Sequence, residues 1–147
     1  MLAVVCAVFA AGRVVNAHEL SGQTSVTKEE EQALRSRVAQ WWAARQERDH
    51  QVMYQLYEPA YRDKTSFAKF LQESAVRSRY DITSHEIVKI ETREKDRVVV
   101  FVEIGTVFPQ FGGPHKVTTQ DPWVRVADGW YKVYEPSKPP FPDKPPK

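Results

Sequence analysis

The chain has 147 residues, enough for one domain and little beyond it. Its apolar and charged fractions are ordinary for a soluble globular protein, while four Trp, six Tyr and seven Phe give a modest core a large area to bury. The formal charge is +2, but residues 136–147 contribute +2 and Arg13 another +1, leaving the body at −1. That body has no concentrated basic face to replace phosphate counterions, which argues against nucleic acid as a partner.

Residues 2–12, LAVVCAVFAAG, form an apolar run of signal-peptide length, too short to span a bilayer as a helix. Val15-Asn16-Ala17 places small or tolerated residues at the positions a signal peptidase reads. Cleavage after Ala17 is expected. It would leave His18 as the N-terminus, send the chain to the periplasm or outside the cell, and confine membrane contact to the export signal. No Lys or Arg precedes the run, and a buried N-terminal helix is the competing reading. Cys6, the single cysteine, lies in this run, so the mature chain would lack a thiol for a disulfide, a nucleophile or a metal. Residues 18–26 form an N-terminal arm ahead of a domain at 27–135.

Thr27-Lys28-Glu29-Glu30 reads as a capping box, with acidic residues at the positive end of the helix dipole. Leu34, Val38, Trp41 and Trp42 then share one helical face, and the spacing predicts a helix over 28–47. Asp49 caps a second, short helix with Val52, Met53, Leu56 and Tyr57 as its stripe, which Pro59 ends. Thr65 or Ser66 caps a third, with Phe67, Phe70 and Leu71 on one side.

From Ile82 the pattern changes to strands: 82–94, a turn at Glu94-Lys95-Asp96-Arg97, and 98–108, VVVFVEIGTVF, the most apolar of them. A loop with Gly112-Gly113 leads to a strand at 116–126, where Pro122 implies an edge or a bulge. Ala127-Asp128-Gly129 turns the chain into a last strand at 130–135. The fold class is α+β: three N-terminal helices packed on a curved antiparallel sheet of about four strands. In the second strand Val98, Val100, Val102, Ile104 and Phe108 point one way and Val99, Phe101 and Val107 the other. Both faces therefore need cover. A second subunit, as a sheet-to-sheet homodimer, supplies it in one arrangement, and a sheet curved on itself in the other. The tail, PSKPPFPDKPPK, favours polyproline II and reads as a solvated spacer, with P-x-x-P spacing suited to an aromatic groove.

The long aromatic helix running into WWAARQERDHQVMYQLYEPAYR, and the terminal hairpin PWVRVADGWYKVYE with Trp123 and Trp130 flanking its turn, resemble the nuclear transport factor 2-like superfamily. The resemblance covers roughly residues 28–135 and implies a cystatin-like cone whose mouth opens beside the helices. That superfamily includes ketosteroid isomerase, scytalone dehydratase, polyketide cyclases and epoxide hydrolases, and also transport factors and secretion-system assembly domains. Fold alone therefore selects no activity.

A cone-pocket enzyme needs an acid or base in an apolar cavity, often with a tyrosine donor. The residues of suitable type are Tyr54, Tyr57, Tyr61 and Asp63 around the second helix, Glu103 in the central strand, and Asp121 and Trp123 in the next. As candidate ligand-binding residues we take Tyr54, Tyr57, Tyr61, Asp63, Glu103 and Trp123. Against this, tyrosines at such spacing complete a core stripe, and Glu103 suits a cross-strand pair, with Arg125 as a partner. His85 falls on the polar side of its strand, and no paired-histidine spacing supports a metal. His18 at a cleaved N-terminus is a remote copper ligand. No cofactor motif is present. Two functions follow. One is a non-catalytic exported binding or interaction module. The other is a small lyase, isomerase or hydrolase acting by acid/base chemistry on an apolar small molecule.

Overall fold

The structure is a computed structural model and describes residues 26–77, 81–107, 112–127 and 129–136. The expected signal segment, the arm before Val26, the tail beyond Pro136, Phe108 and Asp128 lie outside the described residues.

The fold is α+β, with helices followed by a four-stranded antiparallel sheet in the order β1-β2-β3-β4. Helix α1 (Lys28–Glu47) starts at the expected capping box: Thr27 Oγ1 accepts from the Glu30 amide at 3.2 Å, and the Thr27 amide donates to Glu30 Oε2 at 2.9 Å. Its buried residues are Leu34, Val38, Trp41, Trp42 and Ala44. It ends at Arg48, which takes a left-handed conformation (φ 59°) and pairs with Asp81. Helix α2 (His50–Leu56) is capped by Asp49, whose carboxylate accepts from the Val52 amide at 3.0 Å.

Three helices were expected, but the described residues hold four. Proline cannot continue α2, yet its fixed φ suits a first helical position, so Pro59 opens the short turn α3 (Pro59–Arg62). Of the two possible caps for α4 (Phe67–Arg77), Ser66 is used, its hydroxyl accepting from the Lys69 amide.

Strands β1 (Asp81–Glu94), β2 (Arg97–Val107), β3 (Pro114–Val126) and β4 (Gly129–Lys132) form successive antiparallel pairs. On β2, Val98, Val100, Val102 and Ile104 are buried with the α1 stripe in one core. The opposite face carries Val99 and Phe101, both half-buried. Lysine stems lie on this face: Lys89 Nζ sits 5.7 Å from the Phe101 ring centroid, Lys89 pairs with Glu91 at 2.5 Å, and Lys116 pairs with Glu103 at 2.6 Å. Val99 and Phe101 thus keep part of their surface open on this face.

Three expectations need correction. Pro122 lies neither on an edge strand nor at a bulge, because β3 is internal and its register against β2 is unbroken. Its carbonyl accepts from the Val133 amide at 2.9 Å, so its nitrogen faces the β4 side, where the β3–β4 ladder stops. His85 is not on a polar face: a register shift between Ile82 and Ser84 flips the alternation, and His85 pairs with Ile104 on the inner face. Glu103 does not pair with Arg125. Arg125 is bonded to Asp96 of the β1–β2 turn and to Glu30 of α1.

Replacing Thr27 by Ala removes the capping acceptor and loosens the Glu30 side chain that also holds Arg125. The variant is expected to lose about 1 kcal/mol of stability, read from the urea midpoint at unchanged m-value.

Candidate functional site

Alternation along β3 and β4 turns Asp121, Trp123, Trp130 and Lys132 to the inner face, where Trp123 stands opposite Lys132. The backbone of Lys132 is fixed on both sides. It pairs with β3 on one, and on the other its carbonyl accepts from the Glu58 amide at 3.0 Å, where the chain between α2 and α3 runs alongside. Adjacent residues of α1, Trp41 and Trp42, meet edge to face at 4.9 Å and close the site from above.

The result is a charge pair inside an aromatic box. Lys132 Nζ lies 2.8 Å from Asp121 Oδ1, with the two side chains 9% and 7% exposed. Trp42 Nε1 donates to the other carboxylate oxygen, Oδ2, at 2.7 Å. The ammonium also lies 4.2 Å from the Trp41 ring centroid and 5.8 Å from that of Trp123, within cation–π range of both. Burial pushes the Lys132 ammonium below its usual value of 10.5, and the Asp121 carboxylate opposes that shift without cancelling it. Two donors in this box, Trp41 Nε1 and Trp123 Nε1, are buried and have no hydrogen-bond partner among the described residues.

The candidate residues separate into three groups. Trp123 is fully buried in the box. Tyr54, Tyr57 and Tyr61 belong to a neighbouring aromatic cluster with Phe70 and Tyr134. There the Tyr54 hydroxyl donates to the Thr65 carbonyl at 2.6 Å, Tyr61 stacks on Tyr134 at 4.2 Å, and Tyr134 donates to Glu73 at 2.9 Å. Tyr57 joins cluster to box, its ring 6.4 Å from that of Trp41. Asp63 is exposed at the end of α3, and Glu103 lies on the outer sheet face; neither reaches the box. Lys132, Trp41 and Trp42 were not among the candidates, although Lys132 lies midway between Trp130 and Tyr134, two residues from each, on the alternation of an apolar face.

An open depression of about 540 Å³ lies elsewhere, beside Glu30, Asp96, Arg125 and Trp130. Its charged groups are spent on one another, which makes it a clasp rather than a site. Among the described residues no group of three His, Cys, Asp or Glu side chains is placed to hold a metal, and no helix is long and apolar enough to cross a membrane.

Compared with known proteins, the chain matches no family model and no curated protein in sequence.

Removing one partner of a buried pair strands the other charge in the core. Lys132→Met and Asp121→Asn are each expected to cost about 3–5 kcal/mol in urea unfolding. Lys132 also sets a pH dependence. With its folded value lowered, the unfolded chain binds a proton that the folded chain has released, in the window between that value and 10.5. Stability should therefore rise with pH across the window relative to Lys132→Met, and level off above it. A wild type that tracks the variant in parallel through this range would contradict the assignment.

Proposed function

We propose that the chain is an exported domain of the nuclear transport factor 2-like type, a cone whose interior binds rather than catalyses. What supports the fold assignment is the order of elements and the three register shifts in β1, since such irregularities bend a strand locally. What carries the binding reading is the state of the interior carboxylate. Each oxygen of Asp121 already accepts a bond, one from Lys132 and one from Trp42, so the carboxylate is committed to groups inside the chain rather than presented to a third molecule as a general base. The tyrosine hydroxyls that an acid/base mechanism would recruit are also engaged. Tyr54 serves a backbone carbonyl, and Tyr61 and Tyr134 serve Glu73. A pocket enzyme of the lyase, isomerase or hydrolase kind that drew on these hydroxyls would need one of their bonds broken first.

Association of two copies through the outer sheet face belongs to the same proposal. Val99, Phe101, Pro122 and Val124 are half-buried there, and Val126 at its end is 37% exposed.

Native mass spectrometry of secreted protein tests these points together. The account expects a chain that begins at His18, runs as a dimer, and leaves a library of small carbonyl compounds chemically unchanged while binding some of them. A retained Met1 removes the cleavage after Ala17, a monomer at high concentration removes the dimer, and conversion of any compound replaces the binding module with the enzyme.

A further inference from the structure

The buried box has an imbalance of donors. Its hydrogen-bond donors are the indole N–H groups of Trp41, Trp42 and Trp123 and the three N–H bonds of the Lys132 ammonium. Its acceptor is the Asp121 carboxylate, which takes one bond from Trp42 and one from Lys132. Trp41 is 5% exposed and Trp123 0%, and their indole nitrogens are unpartnered among the described residues. Both rings flank the same ammonium. Buried donors are almost always bonded, so two orphans around one lysine point to an acceptor from outside the chain.

Charge narrows what that acceptor is. Lys132 and Asp121 already balance, so a bound anion or cation would leave a net charge in a site lined by aromatic rings. A hydrocarbon would leave both indoles unpaired. We infer that the box takes a small neutral ligand with a carbonyl-type oxygen, which accepts from the indole N–H groups of Trp41 and Trp123 beside Lys132 while its apolar body lies against the aromatic rings. The inference rests on the binding reading above and names its ligand class.

The four tryptophans provide the test. In the full chain labelled with nitrogen-15, each indole N–H gives one cross-peak. Trp42, bonded to Asp121, and Trp130, bonded to the Glu30 carbonyl at 3.1 Å, are internal references. Titration with cyclohexanone is expected to move the Trp41 and Trp123 peaks downfield and leave the references in place. Methylenecyclohexane has nearly the same shape without the acceptor, and should bind at least roughly tenfold more weakly. Cyclohexanone that leaves Trp41 and Trp123 unmoved overturns the inference. Equal binding of the two probes overturns it in favour of a purely apolar site. Contacts from both indoles to water that persist at the highest cyclohexanone concentration overturn it in favour of structural water. Failure of the underlying reading looks different. Exchange of the ketone α-hydrogens with deuterated solvent, faster than in buffer, marks proton transfer by the protein whatever the indole peaks do.

Discussion

A charge pair buried among tryptophans constrains the rest of this molecule. Taking a lysine ammonium and a carboxylate out of water costs more than their attraction returns, unless each finds further partners in fixed places. Here those partners come from every layer of the fold. The α1 helix supplies Trp42 for the second carboxylate oxygen and the Trp41 ring for the ammonium. The β3–β4 register sets Trp123 opposite Lys132, and the strap between α2 and α3 fixes the lysine backbone. Shifting any of these elements by one residue would leave a charge without its partner. The pair thus selects one packing of helix on sheet, a use of buried polar groups that adds specificity rather than raw stability.

A second clasp holds the opposite end of α1. Glu30 closes the capping box with one carboxylate oxygen, holds Arg125 with the other, and gives its carbonyl to Trp130 Nε1. Arg125 in turn reaches Asp96 in the β1–β2 turn. With the N-terminal end tied at Glu30 and Trp42 tied to Asp121, α1 has little freedom to slide along the sheet. The same rigidity bears on function. On the proposed binding reading, Asp121 serves to hold the helix, and the unpartnered indole donors of Trp41 and Trp123, whose rings flank Lys132, serve the ligand.

Much of this was legible in the sequence, and the gaps have physical causes. The capping box, the face made by Leu34, Val38, Trp41 and Trp42, the turn at residues 94–97 and the four strands follow from local spacing, and local spacing decided them. What local spacing does not carry is the effect of irregularity. The register shift near Ile82 moves His85 to the inner face, and Pro59 starts a turn instead of merely ending one. For the site, chemical type was a poor guide. Asp63 and Glu103 were of suitable type for an acid or base in a cavity, but Asp63 is exposed and Glu103 pairs with the Lys116 ammonium on the outer sheet face. Lys132 was not singled out, and only its alternation with Trp130 and Tyr134 marks it as internal. The pairing of Lys132 with Asp121 depends on strand register and that of Asp121 with Trp42 on the docking of α1, neither of which a single sequence states.

The central claim is that Lys132 and Asp121 act as one buried unit, and a double-mutant cycle measures it directly. Unfolding free energies would be compared for wild type, Asp121→Leu, Lys132→Met and the double replacement. If the pair is a unit, the double variant is more stable than either single one, because no charge is left alone in the core. Losses that simply add, with the double variant the least stable of the four, would show that the two residues act independently and would contradict the account.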